Sequence, residues 1–189
     1  MKYNNELRSE QSKQNKDKII ETGKSLILEK SYNSVSVDAI TKRAGVSKGA
    51  FYIHYKTKDD LIQDLINFTF SEVKEDSNKG TIYERVSVYL KVSTEKIVKE
   101  GLKTAQTWFS DTVKASAYGL RKLKYDEDYI MSILLSDMTE GEALIISKKI
   151  VAIYYGILIS WCITDGQDDP MNLINDFILN DLSKMIGGK

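Results

Sequence analysis

Residues 36–58 constrain the fold most, because two short helical segments meet there at a glycine. The segment reads SVDAITKRAGVSKGAFYIHYKTK. Ser36 is a good N-cap for a helix over Val37–Ala44, and Ser47 can cap a second helix that follows. Gly45 lies between them and can adopt the left-handed conformation that ends a helix sharply. The pattern predicts two helices joined by a tight turn, which is a helix-turn-helix.

The second helix of the pair is expected to turn a polar and aromatic face outward. Its contacts with the first helix come from the apolar positions Ile40, Ala44, Val46, Phe51 and Tyr55. The residues left on the outer side are Lys48, Gly49, Tyr52, Ile53 and His54. Such a helix fits the major groove of DNA, where an apolar tip such as Ile53 can touch a thymine methyl group. The sequence therefore predicts a DNA-reading helix.

Residues 36–61, SVDAITKRAGVSKGAFYIHYKTKDDL, resemble the DNA-binding domain of the TetR family of bacterial regulators. The resemblance is carried by Ala-Gly-Val-Ser-Lys-Gly, the Phe-Tyr that follows, and then a Tyr, a Lys and an acidic pair before Leu. With the preceding helix it covers roughly residues 13–65. Thr41 departs from the small Ala usual in the family, but Thr is small enough to pack there. Ile53 is a milder departure, at an exposed position that is often polar or aromatic.

The resemblance implies how such a protein works. It implies a homodimer in which each subunit places one recognition helix in the major groove of a palindromic operator. It also implies that the C-terminal helices dimerise and hold a pocket for a small-molecule effector, here unknown. Ligand binding would tilt the fourth helix, spread the two recognition helices and release the DNA. The expected function is that of a ligand-responsive repressor.

The resemblance also assigns contacts residue by residue. Those it places near bases are Lys48, Gly49, Ala50 and Ile53. Those it places nearer phosphates are Ser36, Ser47, Tyr52, His54, Tyr55 and Lys58. Tyr55 has a second interpretation as a core residue. His54 is the only histidine in the chain, so no metal site is expected.

The rest of the chain predicts an all-α protein. Apolar residues recur at helical spacing, alternation typical of strands is absent, and there is one proline. We expect a flexible N-terminus at 1–12, a helix-turn-helix domain at 13–58, and a helical ligand-binding and dimerisation domain at 59–189. Within the last part, Gly101 and Gly119 are expected to interrupt helices, and Pro170 is expected in the first turn of the final helix.

Two strongly apolar helices, at 141–164 and 170–186, are expected at the C-terminus. They can pair with their copies as a four-helix bundle in a dimer. The alternative is that they merely close the core of a monomer. The residues expected at the dimer interface are Tyr155, Leu158, Leu173, Phe177 and Ile178.

Aromatic residues are numerous enough for some of them to line an apolar ligand pocket. The candidates are Trp108, Tyr118, Tyr154 and Trp161. Arg121, Lys122 and Lys124 form a small basic run, for which a solvated face is the preferred interpretation over an anion site. The sequence does not determine the charge of the ligand.

Charge and cysteine usage agree with a DNA-binding protein of the cytoplasm. Lys and Arg outnumber Asp and Glu by 12 to 8 in residues 1–62, whereas the remainder has 15 against 19. A basic N-terminal third on an acidic body favours nucleic-acid contact at one end. The single Cys162 excludes an internal disulfide, and its apolar surroundings favour a reduced, buried thiol. The apolar run 150–163 is too short to span a bilayer, and no secretory signal is expected at the polar N-terminus.

Two other classes of function compete with the repressor. An enzyme is not favoured, because the sequence has no phosphate-binding glycine loop, nucleophile elbow or metal-ligand cluster, and no cofactor is expected. A DNA-binding protein of the same fold could instead act in chromosome organisation or division control. Genomic context separates that role from local repression.

Overall fold

The computed structural model describes residues 2–30, 32–113 and 117–187, and this part of the chain is helical, as the sequence predicts. The helices are α1 (Lys2–Lys30), α2 (Val37–Ala44), α3 (Lys48–His54), α4 (Lys58–Asp76), α5 (Ile82–Glu100), α6 (Leu102–Val113), α7 (Ala117–Leu134), α8 (Glu140–Ile163), α9 (Pro170–Phe177) and α10 (Ser183–Met185). A 3₁₀ turn at Tyr32–Ser34 follows α1, and a π-helical turn at Ile178–Leu182 joins α9 to α10.

Local capping explains where most helices begin. Ser36 and Ser47 cap α2 and α3, with each side-chain oxygen accepting a backbone N–H three residues on. Thr57, Thr81 and Thr139 start α4, α5 and α8 with full capping boxes. These caps satisfy N–H groups that have no partner within the helix. Pro170 occupies the first turn of α9, as expected.

Helices α1, α2 and α3 form the N-terminal unit. Gly45 ends α2 with a φ of 67°, in the left-handed region that the sequence predicts. Thr41 is buried, and its hydroxyl donates to the Asp38 carbonyl oxygen at 3.2 Å. The departure from the usual Ala is thus accommodated with its polar atom satisfied. Helix α1 also contacts α4 and α6, so it joins the helix-turn-helix to the rest of the molecule.

Helices α4 to α9 pack around a second part of the core. Helix α8 contacts α6, α7 and α9, and α5 lies against α4, α6, α7 and α9. The largest fully buried side chains here include Phe70, Tyr89 and Tyr154. The expected boundary between residues 58 and 59 falls in the first turn of α4. That helix therefore connects the helix-turn-helix directly to this core.

Three expectations about helix limits are wrong. The structure begins α1 at Lys2, ahead of the start expected near Lys13, while the flexibility expected for residues 1–12 stays a prediction. Helix α7 runs through Gly119 without a break, because one glycine costs a helix only about 1 kcal/mol. The final helix is not uniform, since the π-helical turn Ile178–Leu182 divides it.

Candidate DNA-binding surface and ligand cavity

Helix α3 presents an open outer face. Lys48, Gly49, Tyr52 and Ile53 are exposed and Ala50 is half-buried, whereas Phe51 is fully buried beneath them. Ile53 is 75% exposed, a costly position for an apolar side chain in water. A Cβ added at Gly49 would meet only the Ser47 hydroxyl, at 3.7 Å, so the helix backbone is accessible there. The outer face of α3 therefore offers exposed side chains and accessible backbone to a binding partner.

Lys48 is tied to α2 by an ion pair. Its Nζ lies 2.7 Å from an Asp38 carboxylate oxygen, and both side chains are mostly exposed. The hydrogen bond to Asp38 raises the pKa of the Lys48 ammonium group. The pair holds Lys48 on the outer face and fixes the start of α3 against the start of α2.

Hydroxyls and further cations surround α3. The Ser36 and Ser47 oxygens accept the N–H groups of Ala39 and Ala50, each at 3.1 Å, which leaves both hydroxyl hydrogens able to donate. Lys42 and Lys56 are exposed on the neighbouring segments, and sequence reasoning did not single them out. Lys42 lies in the last turn of α2 and Lys56 between α3 and α4, and these places on either side of α3 are the signal that could have identified them.

Tyr55 belongs to the core rather than to the surface. Its side chain is only 3% exposed, and its hydroxyl donates to Asp64 on α4 at 3.1 Å. The structure therefore contradicts the phosphate contact expected for Tyr55 and agrees with its core interpretation. His54 is half-buried, with Nε2 lying 3.4 Å from the Ser12 hydroxyl of α1.

Lys58 has a structural task that sequence reasoning missed. Its ammonium group donates to the carbonyl oxygens of Tyr32 and Val35, both at 2.8 Å. It also lies 3.9 Å from the centre of the Tyr32 ring. Burial lowers the pKa of this ammonium group. Lys58 thus connects the start of α4 to the segment that leads into α2, and one of its three N–H donors remains for a phosphate.

A small, partly enclosed cavity lies among α5, α6, α7 and α8. Its volume is about 20 Å³, room for about one water molecule. The lining residues are Ile97, Trp108, Phe109, Lys122, Tyr154, Tyr155 and Leu158. Two of the predicted pocket residues, Trp108 and Tyr154, line it. Trp161 is buried elsewhere in the core, and the Tyr118 side chain lies outside the described residues.

A buried charged cluster lies behind the cavity wall. The Lys122 ammonium group contacts the Asp126 carboxylate, which is fully buried. Asp126 also accepts hydrogen bonds from the hydroxyls of Tyr89 and Tyr155. The expectation that Lys122 belongs to a solvated basic run is wrong. The i, i+4 spacing of Lys122 and Asp126 was the available signal.

The Lys122 ammonium group also reaches α4. It lies 3.9 Å from the centre of the Phe70 ring, a cation–π contact. Burial lowers the pKa of Lys122, while the neighbouring Asp126 carboxylate opposes that shift. Burial raises the pKa of the Tyr154 hydroxyl, while the nearby hydroxyls of Thr94 and Ser93 oppose that shift. Even so, no group in the described part of the chain meets hydrogen-bonding geometry with the Tyr154 hydroxyl. The cavity wall therefore contains an unsatisfied polar atom.

Most residues expected at a dimer interface are buried within the chain itself. Leu158 and Ile178 are buried, and Phe177 is only 5% exposed. Tyr155 is half-buried, with its hydroxyl directed at Asp126. Only Leu173 is exposed as expected. These residues pack inward because α8 and α9 first cover α5 and α7 of their own chain.

The outward sides of α8 and α9 carry a different apolar set. The large exposed apolar residues there are Leu144, Ile145, Ile153, Ile163 and Leu173. By length and composition α8 is apolar enough to cross a membrane. The run 150–163, which is only the last part of α8, is too short to do so. One such helix is weak evidence for a span, since α8 also packs on α7 and α9. Among the described residues, no group of three or more His, Cys, Asp or Glu could hold a metal ion.

A sequence model of the family described as bacterial regulatory proteins, tetR family, matches residues 19–65. The match covers the end of α1, the helix-turn-helix and the start of α4. Residues 19–65 therefore form a DNA-binding domain of the TetR family. The resemblance seen in residues 36–61 is thereby confirmed.

TetR-family relatives extend the similarity along the chain. The HTH-type transcriptional regulator YuxN of Bacillus subtilis is 28% identical over 179 residues, which is 85% of this chain and 62% of YuxN. The HTH-type transcriptional regulator QacR of Staphylococcus aureus is 36% identical over 67 residues, 35% of this chain and 36% of QacR. The chain thus matches less than two thirds of the length of either relative.

Solved TetR-like structures share the fold. A transcriptional regulator of Aquifex aeolicus superposes with a TM-score of 0.60 at 24% identity, covering 90% of this chain and 99% of that one. The regulator FadR of Bacillus subtilis, in complex with stearoyl-CoA, gives 0.65 at 19% identity, covering 91% and 98%. At these identities the likeness establishes an N-terminal helix-turn-helix followed by a helical domain.

Proposed function

We propose that this TetR-family chain is a ligand-responsive transcriptional repressor that binds a palindromic operator as a homodimer. The observation that carries the proposal is the outer face of α3, where Lys48, Tyr52 and Ile53 stand exposed around an accessible glycine backbone. Relatives named as transcriptional regulators support it. The role is regulatory rather than enzymatic, and access to DNA places it in the cytoplasm.

In the proposed complex, α3 lies in the major groove with its first turns toward the bases. Lys48, Gly49, Ala50 and Ile53 then lie nearest the base edges. Ser36, Ser47, Tyr52 and His54 lie nearer the backbone, where hydroxyls and helix N-termini bind phosphate. Lys58 adds its one remaining N–H, and Tyr55 takes no part.

Dimerisation through α8 and α9 supplies the second recognition helix. Ile145, Ile153 and Leu173 leave apolar area in water that a second copy can cover. A two-fold interface buries the same patch on both subunits. Two copies of α3 related by that axis match an inverted repeat.

The route from the cavity to the DNA runs through α4. A ligand that moves Lys122 disturbs its contact with Phe70 in the middle of α4. At the start of that helix, Lys58 holds the carbonyl groups of Tyr32 and Val35, which precede α2. A shift of α4 is therefore passed to the helix-turn-helix, which changes the spacing of the two recognition helices.

A gel-shift titration with DNA from upstream of the chain's own gene tests the proposal. At physiological salt, specific binding predicts a Kd of about 10⁻⁸ M or tighter. A coding fragment of equal length and base composition is the control, and it should bind at least about a thousandfold more weakly. Equal affinity for both fragments would instead favour an architectural role on chromosomal DNA.

A further inference from the structure

The cavity and the ion pair behind it carry information about the chemistry of the effector. We propose that the effector is an organic acid with an apolar body, whose carboxylate accepts hydrogen bonds from Lys122 and Tyr154. The regulatory meaning of this inference rests on the proposed function, whereas the binding event itself needs no DNA.

The polar groups in the wall are donors that need an acceptor. The Tyr154 hydroxyl is 1% exposed, and no described group meets hydrogen-bonding geometry with it, although the Ser93 and Thr94 hydroxyls lie nearby. A buried hydroxyl without a partner is uncommon and is often satisfied by a ligand or water. The Lys122 ammonium group has three N–H donors and gives one of them to Asp126. A carboxylate placed in the cavity would satisfy both side chains.

A cationic ligand would find no free carboxylate in the same place. Asp126 already accepts from Lys122, Tyr89 and Tyr155, and it is fully buried. An amine in the cavity would also lie against the Lys122 ammonium group. Like charges at such distances in a poorly solvated site repel strongly.

The charge around Asp126 is unbalanced in favour of an anion. Lys74 on α4 is a second cation beside it, and its ammonium group lies over the rings of Tyr125 and Tyr129, at 4.0 and 4.8 Å. Burial lowers the pKa of Lys74, whereas the Asp126 and Asp128 carboxylates oppose that shift and Lys122 adds to it. Asp128 is exposed and paired with Lys124, so the buried Lys122 and the partly buried Lys74 share the one buried carboxylate of Asp126. An added anion would offset this buried positive charge.

The other residues that line the cavity are apolar and favour a ligand with an apolar body. Ile97, Phe109 and Leu158 with the Trp108 ring give aromatic and aliphatic surfaces. Because the cavity holds only about 20 Å³, an organic acid can enter only if the helices that line it move apart. Helix α6 is one of them and contacts α1, so a displacement of α6 would add a second connection between ligand and helix-turn-helix.

Three compounds that share a phenylbutyl group but differ in charge test the inference. Phenylbutyrate, phenylbutanol and phenylbutylamine are titrated into the full-length protein by isothermal calorimetry. The sequence has two tryptophans, Trp108 and Trp161, so in a Trp161→Phe variant the tryptophan fluorescence comes from Trp108 and reports on the cavity. We expect the acid to bind at least about tenfold more tightly than the alcohol or the amine, as hydrogen bonds to a charged group imply, and to change Trp108 fluorescence.

Two variants separate ligand binding from folding. Tyr154→Phe removes an unsatisfied hydroxyl, so thermal stability should stay equal or rise while acid affinity falls by about tenfold. Lys122→Met alone would strand Asp126 and can unfold the chain. It is therefore combined with Asp126→Asn, and this neutral pair should abolish the preference for acid over alcohol. Tyr83→Phe removes a hydroxyl that lies outside the cluster and donates to the Ile178 carbonyl oxygen, so it is the matched control and should keep that preference.

The inference is overturned if the amine binds as tightly as the acid, if no acid binding occurs at millimolar concentration, or if both variants bind the acid like wild type. A chain that binds the acid as expected but binds no operator would refute the repressor proposal and leave this inference intact. The two failures are thus distinguishable.

Discussion

The Lys48 ammonium group lies 2.7 Å from the Asp38 carboxylate, so α2 and the recognition helix are joined by an ion pair on the proposed DNA surface. A base or phosphate must compete with Asp38 for Lys48. In the proposed complex this competition would weaken non-specific binding.

Lys48→Ala should weaken binding to the operator by roughly 5- to 150-fold, the range for loss of one base contact. Asp38→Asn is the matched control, because it frees Lys48 and leaves the cation in place. That variant should bind random duplex DNA more tightly than wild type. Fluorescence anisotropy on operator and random duplexes measures both effects. Full operator affinity in Lys48→Ala would remove Lys48 from the base contacts.

Lys58→Met should lower the free energy of unfolding by roughly 1–3 kcal/mol, because two carbonyl groups lose a charged donor. Urea denaturation without DNA measures this loss. Lys56→Met, at an exposed neighbouring lysine, is the control and should leave stability unchanged. If Lys58 also binds a phosphate, the slope of log affinity against log salt falls by about one. A variant as stable as wild type would show that the two carbonyl contacts contribute nothing.

Ile153→Glu and Leu173→Glu should give monomers, because each places a charge on the exposed apolar side of α8 or α9. Multi-angle light scattering measures the mass. Leu135→Glu, equally exposed but just beyond α7, should remain dimeric. Phe177→Glu is unsuitable as a test, since this buried side chain belongs to the subunit's own core. Dimers of normal mass in both interface variants would locate the interface elsewhere.

Phe70→Leu should weaken the effect of ligand on DNA binding more than DNA binding itself. The variant removes the ring that the Lys122 ammonium group contacts, and α4 keeps an apolar side chain of similar size. The readout is the ratio of operator Kd values with and without phenylbutyrate. Ile66→Val, a buried position on the same helix, controls for core loosening. An unchanged ratio in Phe70→Leu would exclude this contact as the connection.

The link between α1 and α2 should weaken in acid. Arg43 forms two hydrogen bonds to Glu29, and these, with Ser25, lower the pKa of Glu29 from 4.5 to about 2. Because the folded-state pKa is lowered, the stabilisation is present above about pH 4.5 and is lost as the pH falls through about 2. The difference in urea midpoint between wild type and Glu29→Gln should therefore shrink over that range. High salt should shrink it too, since the pair is exposed. A difference independent of pH would contradict an ionic origin.

The features that the sequence predicted correctly depend on neighbours along the chain. Ser36, Ser47 and Gly45 act through backbone groups within a few residues, so their pattern alone locates the helix-turn-helix. The outward placement of Ile53 follows from helical periodicity once Phe51 is assigned to the core.

The errors concern contacts between distant segments. Helix α8 is apolar on most sides, so its pattern could not tell which side covers its own chain and which side is left for a partner. Phe177 was misassigned for the same reason. Lys122 was expected on a solvated face because the Phe70 ring on α4, which its ammonium group contacts, lies far away in sequence. Lys58 found its carbonyl partners in the same non-local way.

In vitro selection from random duplexes, by the purified full-length chain at near-physiological salt, tests the central claim most directly. The account predicts enrichment of an inverted repeat whose half-sites are separated by about one helical turn or a multiple of it. Lys48→Ala serves as the matched variant and should enrich a repeat with relaxed preference at one position in each half-site. Salt-sensitive binding without any enriched repeat would contradict a symmetric dimer that reads DNA sequence.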